Sequence, residues 1–314
     1  ASGIINPVTG RRLVATWMID EVMPFAVDAY KKFRLPNRDA INGVSTLTQC
    51  NVLDFFSAPD VEIAFNKRLA ENAAYLTAIG NKQAWRQYFN FDFGVGEIAP
   101  CYLVAVNGLL QQWRSYLQQE NLLLEQSFDE MDLVITSDGI RYQNIHARQI
   151  IYCDGIASAS SKYFGRLPFA PNKGEALITE IPDLPPTNIF KKGMSLVPWK
   201  PGQYWVGSTY EWKYEHANPT EIFRQQATAW LGSFCKMPFE IVDHLASLRP
   251  ATVDRRPFVG FHPLYKNVGL FNGMGTKGVS LAPYFAKQFA DYLTQHTPLL
   301  PHADISRFAK ILGW

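Results

Sequence analysis

The sequence lacks the patterns that mark a metal centre, a disulfide framework or a membrane span. Its six histidines show no H-x-x-x-H or H-E-x-x-H spacing, so no metal is expected. Its four cysteines, Cys50, Cys101, Cys153 and Cys235, lie far apart and form no C-x-x-C pair. Buried, reduced thiols in a cytoplasmic protein are the expectation from that usage. No apolar run approaches the roughly 20 residues a spanning helix needs, and no secretory leader pattern is visible. Charge of one sign is also missing: 30 basic residues against 28 acidic give a net +2, with no cationic run. That balance offers no footprint for nucleic acid or an anionic membrane. What remains is a globular composition, 47% hydrophobic and 14% aromatic over 314 residues, enough for a large core in two domains or one elaborate one.

Periodicity supplies the elements. Thr16 is placed to cap a helix over residues 17–33, with Ile19, Val22, Met23, Ala26, Tyr30 and Phe33 on one stripe and Pro24 imposing a kink or a late start. Residues 41–56 read as short strands and 61–76 as a helix. The aromatic, Gly-containing stretch 83–99 reads as irregular surface or a lid. A helix carrying Leu109, Leu110, Trp113, Tyr116 and Leu117 leads into a strand at 122–125. A hairpin follows, 133–136 and 140–142 around Ser137-Asp138-Gly139. A strand at 149–153 ends on Asp154-Gly155. Strands at 175–180, 189–197 and 203–209 follow one another, which predicts antiparallel pairing. A helix over 220–234 turns Phe223, Ala227, Trp230, Leu231 and Phe234 inward, and a further strand leads to Arg249. No internal repeat is present.

Two runs near the C-terminal end are the most informative. Residues 248–260 read LRPATVDRRPFVG, and residues 268–293 read VGLFNGMGTKGVSLAPYFAKQFADYL. The second is a short apolar strand, a Gly-rich turn over 273–278 and an amphipathic helix with Leu281, Phe285, Phe289 and Leu293 on one face. Strand, Gly turn and helix let backbone N–H groups and a helix N-terminus meet a negative ligand group, although a tight connection is the plainer use of such a turn. In this order and separation the pair resembles the C-terminal signature of the D-amino-acid oxidase-like (glycine oxidase and sarcosine oxidase-like) FAD-dependent oxidoreductases. There the first run reads approximately R-P-x-T-x-D-x-x-P-x-I-G, and the second lays a helix N-terminus against the flavin ring. Residues 1–7, the 150–155 strand and turn, Lys173-Gly174-Glu175 and residues 204–212 extend the likeness along the chain.

The resemblance implies an α/β fold, a Rossmann-like FAD-binding domain interleaved with an antiparallel-sheet α+β substrate domain. The FAD-binding domain would comprise 1–36, 99–170 and 246–314, and the substrate domain 37–98 and 171–245. It implies FAD, held by Ser2, Gly3, Ile4, Glu125, Asp154, Gly155, Arg249, Gly273, Met274, Gly275, Thr276, Lys277 and Gly278. Sarcosine-oxidase-like members hold flavin through a Cys where this chain has Ser247, so the FAD would be non-covalent. The implied reaction oxidises a C–N bond of a small amine or amino-acid-like substrate, with oxygen or another acceptor reoxidising the flavin. Lys277 and Tyr210 would serve catalysis, and Tyr210, Trp212 and Arg12 would line the substrate pocket. Arg11 and Glu211 are neighbours of these; the alternatives are a solvated lysine at 277, ordinary sheet aromatics with an exposed Glu at 210–212, and a solvated turn at Arg11 and Arg12. Glycine-oxidase-like members carry an Arg in the turn to clamp a carboxylate; here Thr276 stands there, with Lys277 beside it, so a simple amino acid does not carry over as substrate.

The G-x-G-x-x-G loop and the acidic ribose partner of the family's first βαβ unit are not in the sequence. That unit takes roughly 30 residues, and the expectation is a trimmed or undetermined leading segment, or a naturally shortened pseudoenzyme. Two further readings stay open. One is the flavin domain of an enzyme modifying the tRNA wobble uridine, for which the near-neutral charge gives no footprint. The other is a non-catalytic remnant of the fold.

Overall fold

The computed structural model describes residues 2–10, 13–33, 46–71 and 73–313. It is a mixed α/β chain that divides into two compact units, one from residues 1–113 and 173–247 and one from 114–172 and 248–314. No helix among the described residues is long and apolar enough to cross a membrane.

The first unit is built on an eight-stranded sheet. Its order is Glu240–Arg249, Asn172–Glu180, Gln203–Gly207, Met194–Lys200, Ile189–Lys192, Val52–Phe55, Val95–Ile98 and Leu76–Ala78. From Asn172–Glu180 to Leu76–Ala78 the pairing is antiparallel, as the strand-after-strand order predicts, except that Ile189–Lys192 runs parallel to Val52–Phe55. The 189–197 segment is two strands rather than one, because Gly193 turns the chain at φ +81°. Helix Glu221–Phe234 starts on Thr220, whose hydroxyl accepts from Phe223 N–H at 3.3 Å, and buries Phe223, Ala227, Leu231 and Phe234 at helical spacing.

The 83–99 stretch is surface only at its start, where Gln83, Ala84, Arg86 and Gln87 are exposed on a 3-10 turn; from Phe89 on it contributes to the core. Phe89 and Phe91 are buried and Val95–Ile98 is a sheet strand. The Phe89 ring stacks on Phe234 at 4.5 Å and meets Phe55 at 5.1 Å, so partners distant in sequence supply the burial. Helix Pro59–Ala70 begins on its proline and stops well before the expected 76, since Leu76 instead pairs with Ile98. Helix Ile19–Lys32 starts late, after Met18 at φ 54°, and tolerates the exposed Pro24; Thr16 serves it through its carbonyl, not its hydroxyl. Part of the 41–56 reading, residues 41–45, lies outside the described residues; Leu47–Gln49 and Val52–Phe55 are strands. Helix Val106–Gln119 forms as its pattern predicts.

The second unit contains a small sheet in which Ile150–Tyr152 runs parallel to Val268–Asn272, and Phe258–Phe261 pairs antiparallel on the far side. The expected hairpin forms as Leu133–Ile135 and Ile140–Tyr142, extended by Ile145–Ala147 into a meander. Tyr152, Phe164, Phe258, Val268 and Leu270 belong to its core. Helix Gly278–Gln295 buries Leu281, Phe285 and Phe289, with Phe289 meeting Phe261 at 5.7 Å.

The expected strand at 122–125 does not form. Among the described residues no strand pairs with the outer edge of Ile150–Tyr152, and Leu122 and Leu124 stand 67% and 57% exposed. An apolar run with no ladder to join has nothing to fix it as a strand. Glu125 instead pairs with Arg114 and accepts from Gln118 Nε2 at 3.0 Å.

Candidate functional site

Because Ile150–Tyr152 and Val268–Asn272 run parallel, their C-terminal ends fall on the same edge of the sheet. That edge is where ligands bind in open sheets with parallel strands. Here the chain leaves one strand through Asp154-Gly155 and the other through the Gly273–Gly278 region. Asn272 ties the two together: its buried Nδ2 donates to Gly155 O at 2.7 Å and to Ser158 Oγ at 3.0 Å, while its Oδ1 accepts from Gly273 N–H at 2.8 Å. Ser158 in turn donates to the Asp154 carboxylate.

Two glycines of the turn are required by geometry. At Gly273, φ +77°, a Cβ would stand 2.8 Å from Thr252 Cγ2. At Gly275, φ +52°, it would stand 3.3 Å from Ala251 Cβ. The 248–260 run is therefore the floor of the turn. Gly275 N–H donates to Pro250 O at 3.2 Å, so that donor fastens the turn to its floor instead of pointing outward. Thr252, buried, closes the floor by donating from its hydroxyl to Arg256 O at 2.9 Å. Arg249 Nη1 donates to Asn172 Oδ1 at 2.7 Å, a structural contact. Lys277 ends a short 3-10 turn, Gly275–Lys277, and is half-buried; helix Gly278–Gln295 begins directly after it with no side-chain cap.

The structure thus brings Asp154, Gly155 and the Gly273–Gly278 turn to one edge of the second unit. Ser2, Gly3 and Ile4 belong to the first unit, where Ile4–Ile5 pairs with Tyr102–Val104 and Gly3 O accepts from Val104 N–H at 2.9 Å. Glu125 is an exposed partner of Arg114. Tyr210 and Trp212 lie in the first unit, each 59% exposed, just beyond strand Gln203–Gly207. Arg11 and Arg12 lie outside the described residues. Cys153 is exposed at the end of its strand, unlike the buried Cys50, Cys101 and Cys235, which corrects the expectation of four buried thiols. Burial pushes the Cys50 thiol up to about 11, so it carries no reactive thiolate. Asn272 escaped the sequence reading. An Asn before Gly at the end of an apolar strand is the available signal, but it reads first as a turn residue.

A family described as FAD dependent oxidoreductase matches residues 119–292. The glycine oxidase of Pseudomonas aeruginosa is 29% identical over 149 residues, 45% of this chain and 40% of that enzyme, so the match spans less than half the relative's length. Among solved structures, the glycine oxidase of Geobacillus kaustophilus superposes with a TM-score of 0.75 at 14% identity, covering 98% of this chain and 86% of that one. The iminodiacetate oxidase of Chelativorans sp. BNC1 gives 0.72 at 16% identity, covering 96% and 88%. The fold is that of FAD-binding, glycine oxidase-type proteins. The chain belongs to the FAD dependent oxidoreductase family, and its family cofactor is FAD.

The residues at the sheet edge fit such a cofactor. Gly155 sits at φ +62° with no atom within 4 Å of where a Cβ would stand, which leaves open space beside its backbone. The Lys277 side chain does not cap helix Gly278–Gln295, and the positive end of that helix's dipole, which favours a negative group, lies at this turn.

Proposed function

We propose that this chain oxidises a C–N bond of a small amine or amino-acid-like substrate with non-covalent FAD. The observation that carries the reading is the Asn272-locked edge, where Asp154-Gly155 and the Gly273–Gly278 turn meet at the ends of two parallel strands. Bound FAD would supply the hydride acceptor for the substrate carbon, and water would hydrolyse the resulting imine. The chain's own contribution begins with backbone: Gly155 and Gly278 offer space for close approach, and the start of helix Gly278–Gln295 stabilises negative charge. The Lys277 ammonium, one residue before that helix, adds a positive charge for reduced flavin or a substrate carboxylate. Tyr210 and Trp212 supply aromatic surface for the substrate, and Arg12 a cation for an anionic group.

In this reading the FAD-binding domain is 1–36, 99–170 and 246–314, and the substrate domain 37–98 and 171–245. Residues 1–36 and 99–113 fall within the first compact unit, so the functional boundary and the packing boundary differ there. Oxygen or another acceptor closes the cycle, and a cytoplasmic location suits the free thiols.

The test is spectroscopic. The purified full-length protein is expected to carry oxidised flavin bands that bleach without oxygen when mixed with an amine drawn from glycine, sarcosine, iminodiacetate and neutral secondary amines. A loaded flavin that none of these amines reduces would reject the C–N reading.

A further inference from the structure

Outside the flavin edge, the first unit buries an ion pair with no evident use. Lys173 and Glu175 share one face of strand Asn172–Glu180 and are 1% and 0% exposed, with Lys173 Nζ 2.9 Å from Glu175 Oε1. The carboxylate also accepts from Thr220 N–H at 2.6 Å and Thr220 Oγ1 at 2.8 Å. His244 Nε2 lies 3.0 Å from its second oxygen, at ion-pair distance without hydrogen-bond alignment. Burial alone would raise the Glu175 carboxyl, but Lys173 and Thr220 hold it below the ordinary carboxylate value. A buried pair of this kind is weak evidence for stability and is better explained by what it specifies.

Beside this pair the same strand faces a bulge. Ala176 pairs with Gly207 and Lys173 with Glu211, so Ser208, Thr209 and Tyr210 stand opposite only Gly174 and Glu175. One extra residue is carried on that side, which re-aims the chain locally. The bulge is fastened at three points. Lys173 and Glu211 exchange backbone hydrogen bonds at 2.9 Å each, and Glu175 N–H donates to Thr209 Oγ1 at 3.0 Å where a ladder carbonyl would otherwise accept. At its entry Gly207 lies so close to the neighbouring strand that a Cβ would meet Glu175 O at 2.8 Å. Lys173 and Glu175 take part in these fastenings through their backbone and Thr209 through its side chain, and the segment held carries Tyr210 and Trp212.

We infer that Thr209 is a positioning residue for substrate: its hydroxyl, held against the backbone of Glu175, fixes the bulge that sets the direction of Tyr210 and Trp212, and hence selectivity among amines. The inference rests on the reading that those two aromatics meet the substrate. It concerns KM and selectivity, not electron transfer to the cofactor.

The test uses the FAD-loaded full chain, with Thr209→Val, Lys173→Arg, Tyr210→Phe and Trp212→Ala compared on whichever probe amine reduces the flavin best. Thr209→Val removes the hydroxyl that accepts from Glu175 N–H and keeps the ion pair, so it avoids the folding failure that neutralising Lys173 risks. The expected result is faster amide hydrogen exchange over residues 207–212 and a KM raised about fivefold for one lost hydrogen bond, with kcat within twofold. Lys173→Arg is expected to keep both near wild type. If Tyr210→Phe and Trp212→Ala raise KM while Thr209→Val leaves KM and selectivity unchanged, the positioning inference is overturned and the pocket reading survives. If neither aromatic variant alters KM, the pocket reading falls and the inference with it, whatever the exchange rates.

Discussion

Asn272 Nδ2 donates to Gly155 O at 2.7 Å, so the last residue of one parallel strand holds the turn that leaves the other. The bond sets the spacing of the two loops on which the proposed flavin edge depends. Asn272→Ala would leave Gly155 O and Gly273 N–H without this partner, at a cost of about 1–3 kcal/mol. Asn272→Asp is expected to be worse, since it replaces a donor by an acceptor facing Gly155 O, Ser158 Oγ and the Asp154 carboxylate. Chemical denaturation checks the order; an Asp variant as stable as Ala would show that these contacts do not carry the junction.

The turn glycines separate backbone need from cofactor space. Gly275 has φ +52° with Ala251 at its back, whereas Gly278 has φ −52° and nothing nearer than Met274 Cβ at 3.8 Å. Gly275→Ala should therefore destabilise by about 1 kcal/mol or more, while Gly278→Ala should stabilise by about 0.4–1 kcal/mol. Gly275→Val is expected to lower flavin content as well, by displacing the turn from its floor. Equal denaturation midpoints for the two alanine variants would contradict the backbone assignment, and full flavin content in Gly275→Val would remove this turn from the cofactor site.

Legibility of the sequence followed the range of the interactions. Strand Val268–Asn272, its Gly turn and helix Gly278–Gln295 were readable because period and punctuation are local. The inward role of Phe89 was not, because it depends on Phe55 and Phe234 from other parts of the chain. The strand expected at 122–125 failed for the opposite reason: its composition suits a strand, but no described strand lies beside it. Asp154-Gly155 was marked by composition, whereas Asn272, which positions it, looked like an ordinary turn residue. The bulge at Ser208–Tyr210 has no one-dimensional signature, since it is visible only in the register against Gly174 and Glu175.

His262 gives a stability prediction with a definite sign. It is buried, and its Nδ1 accepts from Leu264 N–H at 3.1 Å and Tyr265 N–H at 3.3 Å, an arrangement that requires an unprotonated Nδ1. Burial holds its folded pKa below the ordinary 6.5. As pH falls below 6.5 the unfolded chain takes up a proton that the folded chain refuses, so stability declines on acidification and is recovered above that value. His262→Gln, which cannot protonate, is expected to flatten the Tm profile between about pH 7.5 and 5. A variant with the same acid slope as wild type would assign that slope to other groups.

Lys277 is the residue by which the role of the positive end of the proposed site can be tested. It precedes helix Gly278–Gln295 and donates its backbone N–H to Met274 O at 2.9 Å, a contact that a side-chain substitution leaves in place. Lys277→Met should keep the fold and slow flavin reduction by about tenfold or more, since a charge-assisted contact contributes about 1.5–3 kcal/mol. The partner is identified by substrate. A carboxylate partner predicts a larger loss for acidic substrates such as iminodiacetate than for neutral amines. A flavin partner predicts the same loss for both, together with a lowered flavin reduction potential. A Met variant that reduces as fast as wild type on both classes, at unchanged potential, would show that the ammonium faces neither. The anionic end of the substrate would then have to be met by Arg12 or by the Tyr210–Trp212 segment.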